Sequence, residues 1–171
     1  MKKALVLCLV FFLASCSSYK IGRVSHPQIK TVAIGKITNT SDEPRAAFYM
    51  IESLRKEIAL DGSLKLVSVD KADIVITGKI PSYQLDVIGS VVNDNTGDNR
   101  RTYRASLYRA TIPFTYSVKT RKEKWLIQER TANGYADFSR LLDLEVQKRE
   151  GVRRAAAQSA KIAVRNITEA W

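Results

Sequence analysis

The sequence predicts an α+β fold, with two amphipathic helices packed on one face of a four- or five-stranded, mostly antiparallel sheet. Apolar and polar side chains alternate along residues 107–118, as expected for a strand with one covered face. Two other segments, one before and one after the predicted strands, repeat their apolar residues at helical spacing. Strands clustered in the middle of a chain with helices on either side favour a two-layer α+β arrangement.

The chain begins with a segment that has the parts of a lipoprotein signal peptide. Two lysines precede an apolar run over residues 4–12, which is shorter than the roughly 20 residues that a membrane-spanning helix needs. Ala14 and Ser15 then come directly before Cys16, and this lipobox resembles the bacterial lipoprotein signal. We expect cleavage before Cys16 and acylation of its thiol; the alternative is an ordinary signal peptide with a chance cysteine.

Cleavage at this position defines the domain organisation. Residues 1–15 form the signal peptide, residues 16–30 the lipidated cysteine and a tether, and residues 31–171 a single folded domain. Cys8 is lost with the signal, so the acylated Cys16 is the last cysteine and no disulfide can form. The covalent lipid on Cys16 is the only non-protein group that we expect.

The first half of the domain is predicted to form a strand and a helix, followed by a short strand at 64–67. Residues 31–37 are rich in β-branched side chains. Pro44 suits the first turn of a helix, with Asp42 or Glu43 near its N-cap, and Gly62 suits a left-handed C-cap. The residues predicted to face the core from this helix are Phe48, Ile51, Leu54 and Ile58.

The middle of the chain is predicted to be extended and then irregular. Residues 73–87 alternate as a strand would, with an interruption at Pro81 that suggests an edge or a bulge. Residues 88–102 are the least structured stretch, and residues 93–99 within it have almost nothing to bury, which predicts a mobile hairpin loop.

The last part of the domain is predicted to be a hairpin followed by a long helix. The strand at 107–118 leads through a basic turn at 119–124 into a return strand at 125–135, and the helix begins at about Leu141. Its predicted buried stripe is Val152, Ala155, Ala156, Ser159, Ile162, Ala163, Asn166, Ile167 and Ala170. Its predicted solvent face carries Arg153, Arg154, Lys161 and Arg165.

The residue sets of common catalytic and metal sites are missing from the sequence, so we expect no catalytic residue, no metal and no enzyme activity. His26 is the only histidine and lies in the tether. Asp143 and Glu145 are neighbours on a predicted helix and would not point the same way. Asp94 and Asp98 lie in an Asn-rich loop, but they lack the spacing and the closing glutamate of an EF-hand, so a plain loop is favoured.

The charge balance indicates an anionic partner. The formal net charge is +11, and it is +9 once the two signal lysines are removed. Basic surfaces suit polyanions, but an exported lipoprotein rarely meets nucleic acid. We therefore expect anionic lipid, an anionic glycolipid or an acidic protein surface as the partner, with a merely solubilising charge as the alternative.

Several motifs occur in an order that resembles one protein family. They are the Asn39-Thr40 turn, the Glu43-Pro44 helix start, the Asp61-Gly62 helix stop and the Ala72-Asp73 strand start. This ordered set resembles the lipopolysaccharide-assembly lipoproteins of the LptE type. The resemblance covers most of the mature chain and is sharpest over residues 29–83. Ser17-Ser18 and Arg45 depart from the residues common in that family.

The resemblance implies a non-enzymatic outer-membrane lipoprotein. Such a protein sits within, and helps to assemble, an LptD-like β-barrel that inserts lipopolysaccharide into the outer leaflet, and lipopolysaccharide itself is a further expected ligand. Ser17 agrees with the outer membrane, because an aspartate at that position is the familiar inner-membrane retention signal. We expect the domain on the periplasmic side or within the barrel lumen. The alternative is a periplasm-facing lipoprotein that regulates cell-wall synthesis or forms part of a secretion pore.

Two basic clusters flank the best-defined strand. Arg100, Arg101 and Arg104 precede it, and Lys119, Arg121, Lys122 and Lys124 follow it. At about 3.3 Å per residue the clusters would lie roughly 50 Å apart, at opposite ends of the sheet. We favour the 119–124 turn for the glycolipid, because four cations on a tight turn concentrate positive potential; a solvated hairpin tip is the alternative.

Overall fold

A computed structural model describes residues 29–94, 101–139 and 143–169, with the backbone alone at 92–94 and 101–103. These residues contain two α-helices, a single 3₁₀ turn at Val69–Lys71 and one six-stranded sheet. The elements are β1 Thr31–Asn39, α1 Ala46–Asp61, β2 Lys65–Leu66, β3 Ile74–Ile80, β4 Gln84–Asp94, β5 Arg101–Thr120, β6 Trp125–Ser139 and α2 Leu144–Glu169.

Strand β5 is the centre of the sheet and pairs along both of its edges. β3 and then β4 lie antiparallel to one edge, and β6 lies antiparallel to the other. β1 extends the sheet beyond β3, and β2 lies beyond β1; both of these pairings are parallel. Parallel neighbours need a crossover connection, and α1 supplies it. The sheet has six strands where four or five were predicted, because the extended run breaks at Pro81 into β3 and β4.

The helices cover one face of this sheet, as predicted. Side chains at alternate positions of β5, from Ala110 to Val118, are buried beneath them. The same alternation holds in β3, where Ile74, Ile76 and Ile80 are buried. These strands therefore have the covered face that their period-two pattern predicted.

The prediction that residues 88–102 are mostly irregular is wrong. β4 continues to Asp94 and β5 begins at Arg101, with Val91 opposite Arg104 in the antiparallel ladder. Main-chain hydrogen bonds in a hairpin do not require apolar side chains, which is why a polar stretch can still form a strand. Residues 95–100, in the predicted loop, lie outside the described residues.

Helix α1 uses a different stripe from the predicted one at its first turns. Its buried apolar residues recur every four positions, and they are Ala46, Met50, Leu54 and Ile58. Phe48 was predicted to be in the core but is 63% exposed, because two residues of helix turn it to the opposite side from Ala46 and Met50. Its ring instead meets the Tyr49 ring edge-on, with centroids 5.7 Å apart.

The ends of α1 follow the prediction only in part. Arg45 is the N-cap, so Pro44 precedes the first turn instead of lying in it, and Glu43 lies two residues before the cap. The connection before the helix has a hydrogen bond of its own, in which the Asn39 amide donates to the Glu43 carbonyl at 2.8 Å. At the other end Gly62 adopts φ 69° and donates its N–H to the Ile58 carbonyl at 3.1 Å, which confirms the left-handed C-cap.

Helix α2 lies directly against β5 and β6. Most of its predicted stripe is buried, namely Val152, Ala155, Ala156, Ser159, Ala163 and Ile167. Of the rest, Ile162 and Asn166 are half-buried, and Ala170 lies outside the described residues. A Cβ at Gly134 would overlap the Ala155 carbonyl oxygen and the Ser159 amide of the helix. The Ser159 hydroxyl donates to the Ile112 carbonyl of β5, which fixes the helix on the strand.

Side chains of α2 also satisfy the outer edge of β6. The Gln158 amide oxygen accepts the Tyr135 N–H at 2.6 Å, and the Arg154 guanidinium donates to the Asp137 carbonyl at 3.2 Å. An open strand edge invites pairing with another chain. The helix thus occupies polar main-chain groups that would otherwise be free.

We expect Gly134→Ala to lower the free energy of unfolding by about 2–3 kcal/mol, because the added methyl group forces the α2 backbone away from β6. Urea denaturation followed by circular dichroism measures the change. Gly62→Ala is the comparison variant: its Cβ meets nothing within 4 Å, so only the positive φ opposes it, at a cost of about 1 kcal/mol. Equal stability of Gly134→Ala and the unsubstituted protein would contradict this contact.

Candidate functional site

The predicted basic turn is a tight connection between β5 and β6. The Thr120 N–H donates to the Lys124 carbonyl and the Glu123 N–H donates to the Thr120 carbonyl, each at 2.9 Å. Glu123 adopts φ 58°, the left-handed conformation that closes the turn. The Lys124 N–H also donates to the Thr120 hydroxyl at 3.2 Å. These bonds fix the backbone of the turn that carries the four cations.

The four cations of this turn are in different environments. The Lys119 ammonium lies 2.9 Å from a Glu123 carboxylate oxygen and 4.4 Å from the centroid of the Trp125 ring. The Arg121 guanidinium donates to the Asp70 carbonyl. Lys122 and Lys124 are exposed and form no ion pair with any residue that the structure describes. Two cations therefore shape the turn, and two remain available to a ligand.

Three more exposed lysines lie at the same end of the sheet, and sequence reasoning missed them. They are Lys30, Lys65 and Lys71, which precede or begin strands β1, β2 and β3. The Arg121 N–H donates to the Asp73 carbonyl at 2.9 Å, which joins the turn to the start of β3. The parallel pairing of β1 with β2 and β3 brings these lysines together, so a prediction of parallel strands would have found them.

A cluster of hydrogen bonds around Asp73 fixes this end of the sheet. One carboxylate oxygen accepts the Lys30 N–H at 3.0 Å, the Thr31 N–H at 2.9 Å and the Thr31 hydroxyl at 2.7 Å. The Asp73 N–H donates back to the Thr31 hydroxyl at 2.9 Å. The bonds from Lys30 and then Thr31 hold the pKa of the Asp73 carboxyl below its usual value, and the Arg121 charge adds to this.

The second predicted cluster lies at the far end of β5. β5 is continuous from Arg101 to Thr120, so the two clusters occupy opposite ends of the sheet, as predicted. Arg104 is exposed there. Arg100 lies outside the described residues, and only the backbone of Arg101 is described.

The sheet face away from the helices is mainly polar, although Leu107 and Tyr135 are also exposed on it, and no described element covers it. Arg109 and Asp137 form two parallel hydrogen bonds of 2.7 and 2.9 Å, and the Arg109 guanidinium carbon lies 4.5 Å from the centroid of the Tyr135 ring. The hydrogen bond to Arg109 holds the pKa of the Asp137 carboxyl below its usual value. A shallow trough of about 400 Å³ lies on the same face; its lining includes Lys36, Thr38, Thr77, Lys79, Thr115 and Ser117.

The described residues bring together no group of three or more His, Cys, Asp or Glu side chains that could hold a metal ion. Among the helices of these residues, neither is long and apolar enough to cross a membrane. Cys16, the predicted lipidation site, and His26 lie outside the described ranges. The site that the structure does present is a surface of fixed and free cations at one end of the sheet.

Comparison with models of known protein families identifies a match for this chain. The model of the LptE family, described as lipopolysaccharide-assembly, matches residues 29–169. No curated protein sequence matches the chain.

The chain is also similar to solved structures. One is a protein from Xanthomonas campestris with 13% identity and a TM-score of 0.53, covering 86% of this chain and 91% of that one. Another is the rare lipoprotein B from Shewanella oneidensis, with 13% identity and a TM-score of 0.45, covering 80% and 96%. A third is the PelC dodecamer from Paraburkholderia phytofirmans, with 12% identity and a TM-score of 0.43, covering 83% and 93%. The first shows a shared fold; the two scores below 0.5 carry no argument.

We expect Asp73→Asn to lower the free energy of unfolding by about 1 kcal/mol at neutral pH, at the low end for bonds to a charged group because the site is partly exposed. The carboxyl has a lowered pKa when folded, so its stabilising effect is fully present above the usual value of 3.8 and is lost as the pH falls below 3.8 and through the lower pKa of the folded state. Thermal unfolding from pH 7 to about pH 2 measures the difference. A difference between variant and unsubstituted protein that stays constant over this range would contradict the charged cluster.

Proposed function

Because the chain belongs to the LptE family of lipopolysaccharide-assembly proteins, we propose that it is a non-catalytic lipoprotein subunit of the outer-membrane machinery that assembles lipopolysaccharide. The observation that carries this proposal is the family match over residues 29–169, which includes every helix and strand that the structure describes. Acylation of Cys16 is the proposed anchor. The lipid and the tether at 16–30 would hold the domain on the periplasmic side of that membrane.

The partner that we propose is an LptD-like β-barrel, for which this chain acts as plug and assembly scaffold. The lumen of a membrane barrel is lined by polar side chains. A plug therefore needs a polar surface, and the uncovered sheet face has one in its hydroxyl groups and in the Arg109–Asp137 pair. The cluster at Arg100, Arg101 and Arg104 would meet the barrel wall at the other end of the sheet.

The proposed glycolipid site is the turn that carries Lys119, Arg121, Lys122 and Lys124. Lipopolysaccharide is phosphorylated, and phosphate oxygens accept charge-assisted hydrogen bonds from ammonium and guanidinium groups. We assign the phosphate contacts to Lys122 and Lys124, which are exposed and unpaired. Lys119 and Arg121 would add positive potential without binding the phosphate directly, because Glu123 and Asp70 already hold their side chains.

We expect a full-length, C-terminally tagged protein extracted in mild detergent to bring down a large β-barrel protein, identified by mass spectrometry. Thr38→Arg combined with Asn133→Arg should lower barrel recovery several-fold, because both residues are exposed on the open side of the sheet. Ala59→Arg with Leu60→Arg, at exposed positions of α1, is the matched control and should leave recovery unchanged. Isolation of the tagged protein as a lone monomer, or as a closed ring, would count against the proposal.

Charge reversal at Lys122→Glu and Lys124→Glu should weaken lipopolysaccharide binding by roughly tenfold at 0.1 M salt, a modest effect because both groups are solvated. The loss should shrink at 1 M salt, where the screening length falls to about 3 Å. Lys56→Glu with Lys161→Glu changes the net charge equally at exposed helix positions and should bind as the unsubstituted protein does. Equal affinity of the two double variants would exclude the turn as the glycolipid site.

A further inference from the structure

The fold gathers exposed lysines from three separate segments beside the turn, and we propose that they dock the domain on an anionic phospholipid surface. We name Lys30, Lys65 and Lys71 the lysine row. The Lys65 N–H donates to the Lys30 carbonyl at 2.9 Å, so these two are neighbours across the β1–β2 pair. Lys71 ends the 3₁₀ turn that leads into β3, the other neighbour of β1. Adjacent strands lie about 4.8 Å apart, so the row extends roughly 10 Å across the end of the sheet.

The charges of the row are available to a partner outside the domain. All three lysines are exposed and form no ion pair within the described ranges. Asp73 forms no ion pair with the row, since its hydrogen bonds go to the Lys30 and Thr31 main chain and to the Thr31 hydroxyl, but its carboxylate still contributes a negative charge nearby. Asp70 is the other acidic residue in this segment, so three lysines and Arg121 on the adjoining turn face two carboxylates and this end of the sheet keeps an excess of positive charge.

Two exposed apolar residues lie between Lys65 and Lys71 in the sequence. Leu66 directly follows Lys65 and is 39% exposed, and Val69 lies two residues before Lys71 and is 55% exposed. Cations attract anionic headgroups, and apolar side chains among them enter the boundary between headgroups and acyl chains. A purely aqueous polyanion would make no use of exposed Leu66 and Val69, whereas a bilayer interface uses both features.

The direction of the chain indicates which surface the row meets. Residue 29 enters the domain at the same end as the row, directly before Lys30. Twelve residues lie between Cys16 and Ile29, and the thirteen Cα–Cα steps from one to the other can span at most about 45 Å. The inference rests on the proposed anchor at Cys16, but it needs neither the barrel nor the glycolipid. An anchor at this distance holds the row near the headgroups of its own membrane.

The test uses the full-length lipidated protein in vesicles of phosphatidylcholine, with or without phosphatidylglycerol. An environment-sensitive fluorophore is attached to the thiol introduced by Val69→Cys, or by Val87→Cys as the control. The two valines are 55% and 54% exposed, but Val87 pairs with Tyr108 on β5, about 40 Å from the turn. We expect the emission to shift to the blue for the fluorophore at position 69 and not at position 87. The shift should occur only in vesicles that contain phosphatidylglycerol, and added salt should reverse it.

The triple variant Lys30→Glu, Lys65→Glu and Lys71→Glu tests the lysines themselves. Each lysine near an anionic surface contributes about fivefold to the docking equilibrium, so three contribute on the order of 100-fold and the blue shift should be lost. Lys36→Glu, Lys56→Glu and Lys161→Glu change the net charge equally at exposed positions elsewhere and should keep it. Circular dichroism of both triple variants verifies folding.

The outcomes separate docking from the anchor. In the protein without an introduced cysteine, the fluorophore can react only with a free Cys16 thiol. Labelling of this protein, or its release from the vesicles on washing, contradicts acylation of Cys16 and with it the docking geometry. Protein that stays on the vesicles but gives equal emission at positions 69 and 87 overturns docking and leaves the anchor standing. A blue shift that is insensitive to phosphatidylglycerol or to the lysine-row triple variant also overturns it.

Discussion

The direct contact between helix α2 and strand β6 at Gly134 is the constraint on which the domain depends. Since no side chain separates the two backbones there, the helix lies close enough for Ser159 to bond the main chain of β5. The same closeness brings Gln158 and Arg154 to the edge of β6. The small residues Ala155 and Ala156 fill the interface without pushing the layers apart.

The Thr31–Asp73 cluster has a second organising role, at the end of the sheet where β1 and β3 begin. It joins segments 42 residues apart, and it fixes the strand starts that carry Lys30 and Lys71. The charged surface is therefore a product of strand pairing as much as of composition. A rearrangement of β1 against β3 would scatter these lysines, although the net charge would stay the same.

Sequence periodicity predicted most of the layer structure but not the assignments that depend on distant residues. The alternation along β5, the Gly62 cap and most of the α2 stripe could be predicted, since each follows from local spacing. The exposure of Phe48 could not be predicted. A large apolar residue at approximately helical spacing is expected in the core, and only the structure shows that Met50, on the opposite side of the helix, is buried instead. Residues 88–94 form a strand through main-chain pairing with β5, which composition does not record.

In the candidate site, too, the local features could be predicted from the sequence and the contacts between distant residues could not. The turn at 119–124 was visible as a run of cations, but the internal partners of Lys119 and Arg121 were not. Glu123 could have been suggested by its proximity in sequence, whereas Asp70 lies 51 residues from Arg121. Lys30, Lys65 and Lys71 belong to no charge run, so only the three-dimensional order of β2, β1 and β3 places them together.

The interior position of β1 has a mechanical consequence. β1 lies between two strands that run parallel to it, and residues 29 and 30 lead directly into its first residue. A force that pulls residue 29 along the strand axis loads the hydrogen bonds of both ladders, and those of Thr31 to Asp73, in shear. They must then break together, whereas a perpendicular pull would unzip them one by one. The domain therefore resists tension along β1 better than tension across it.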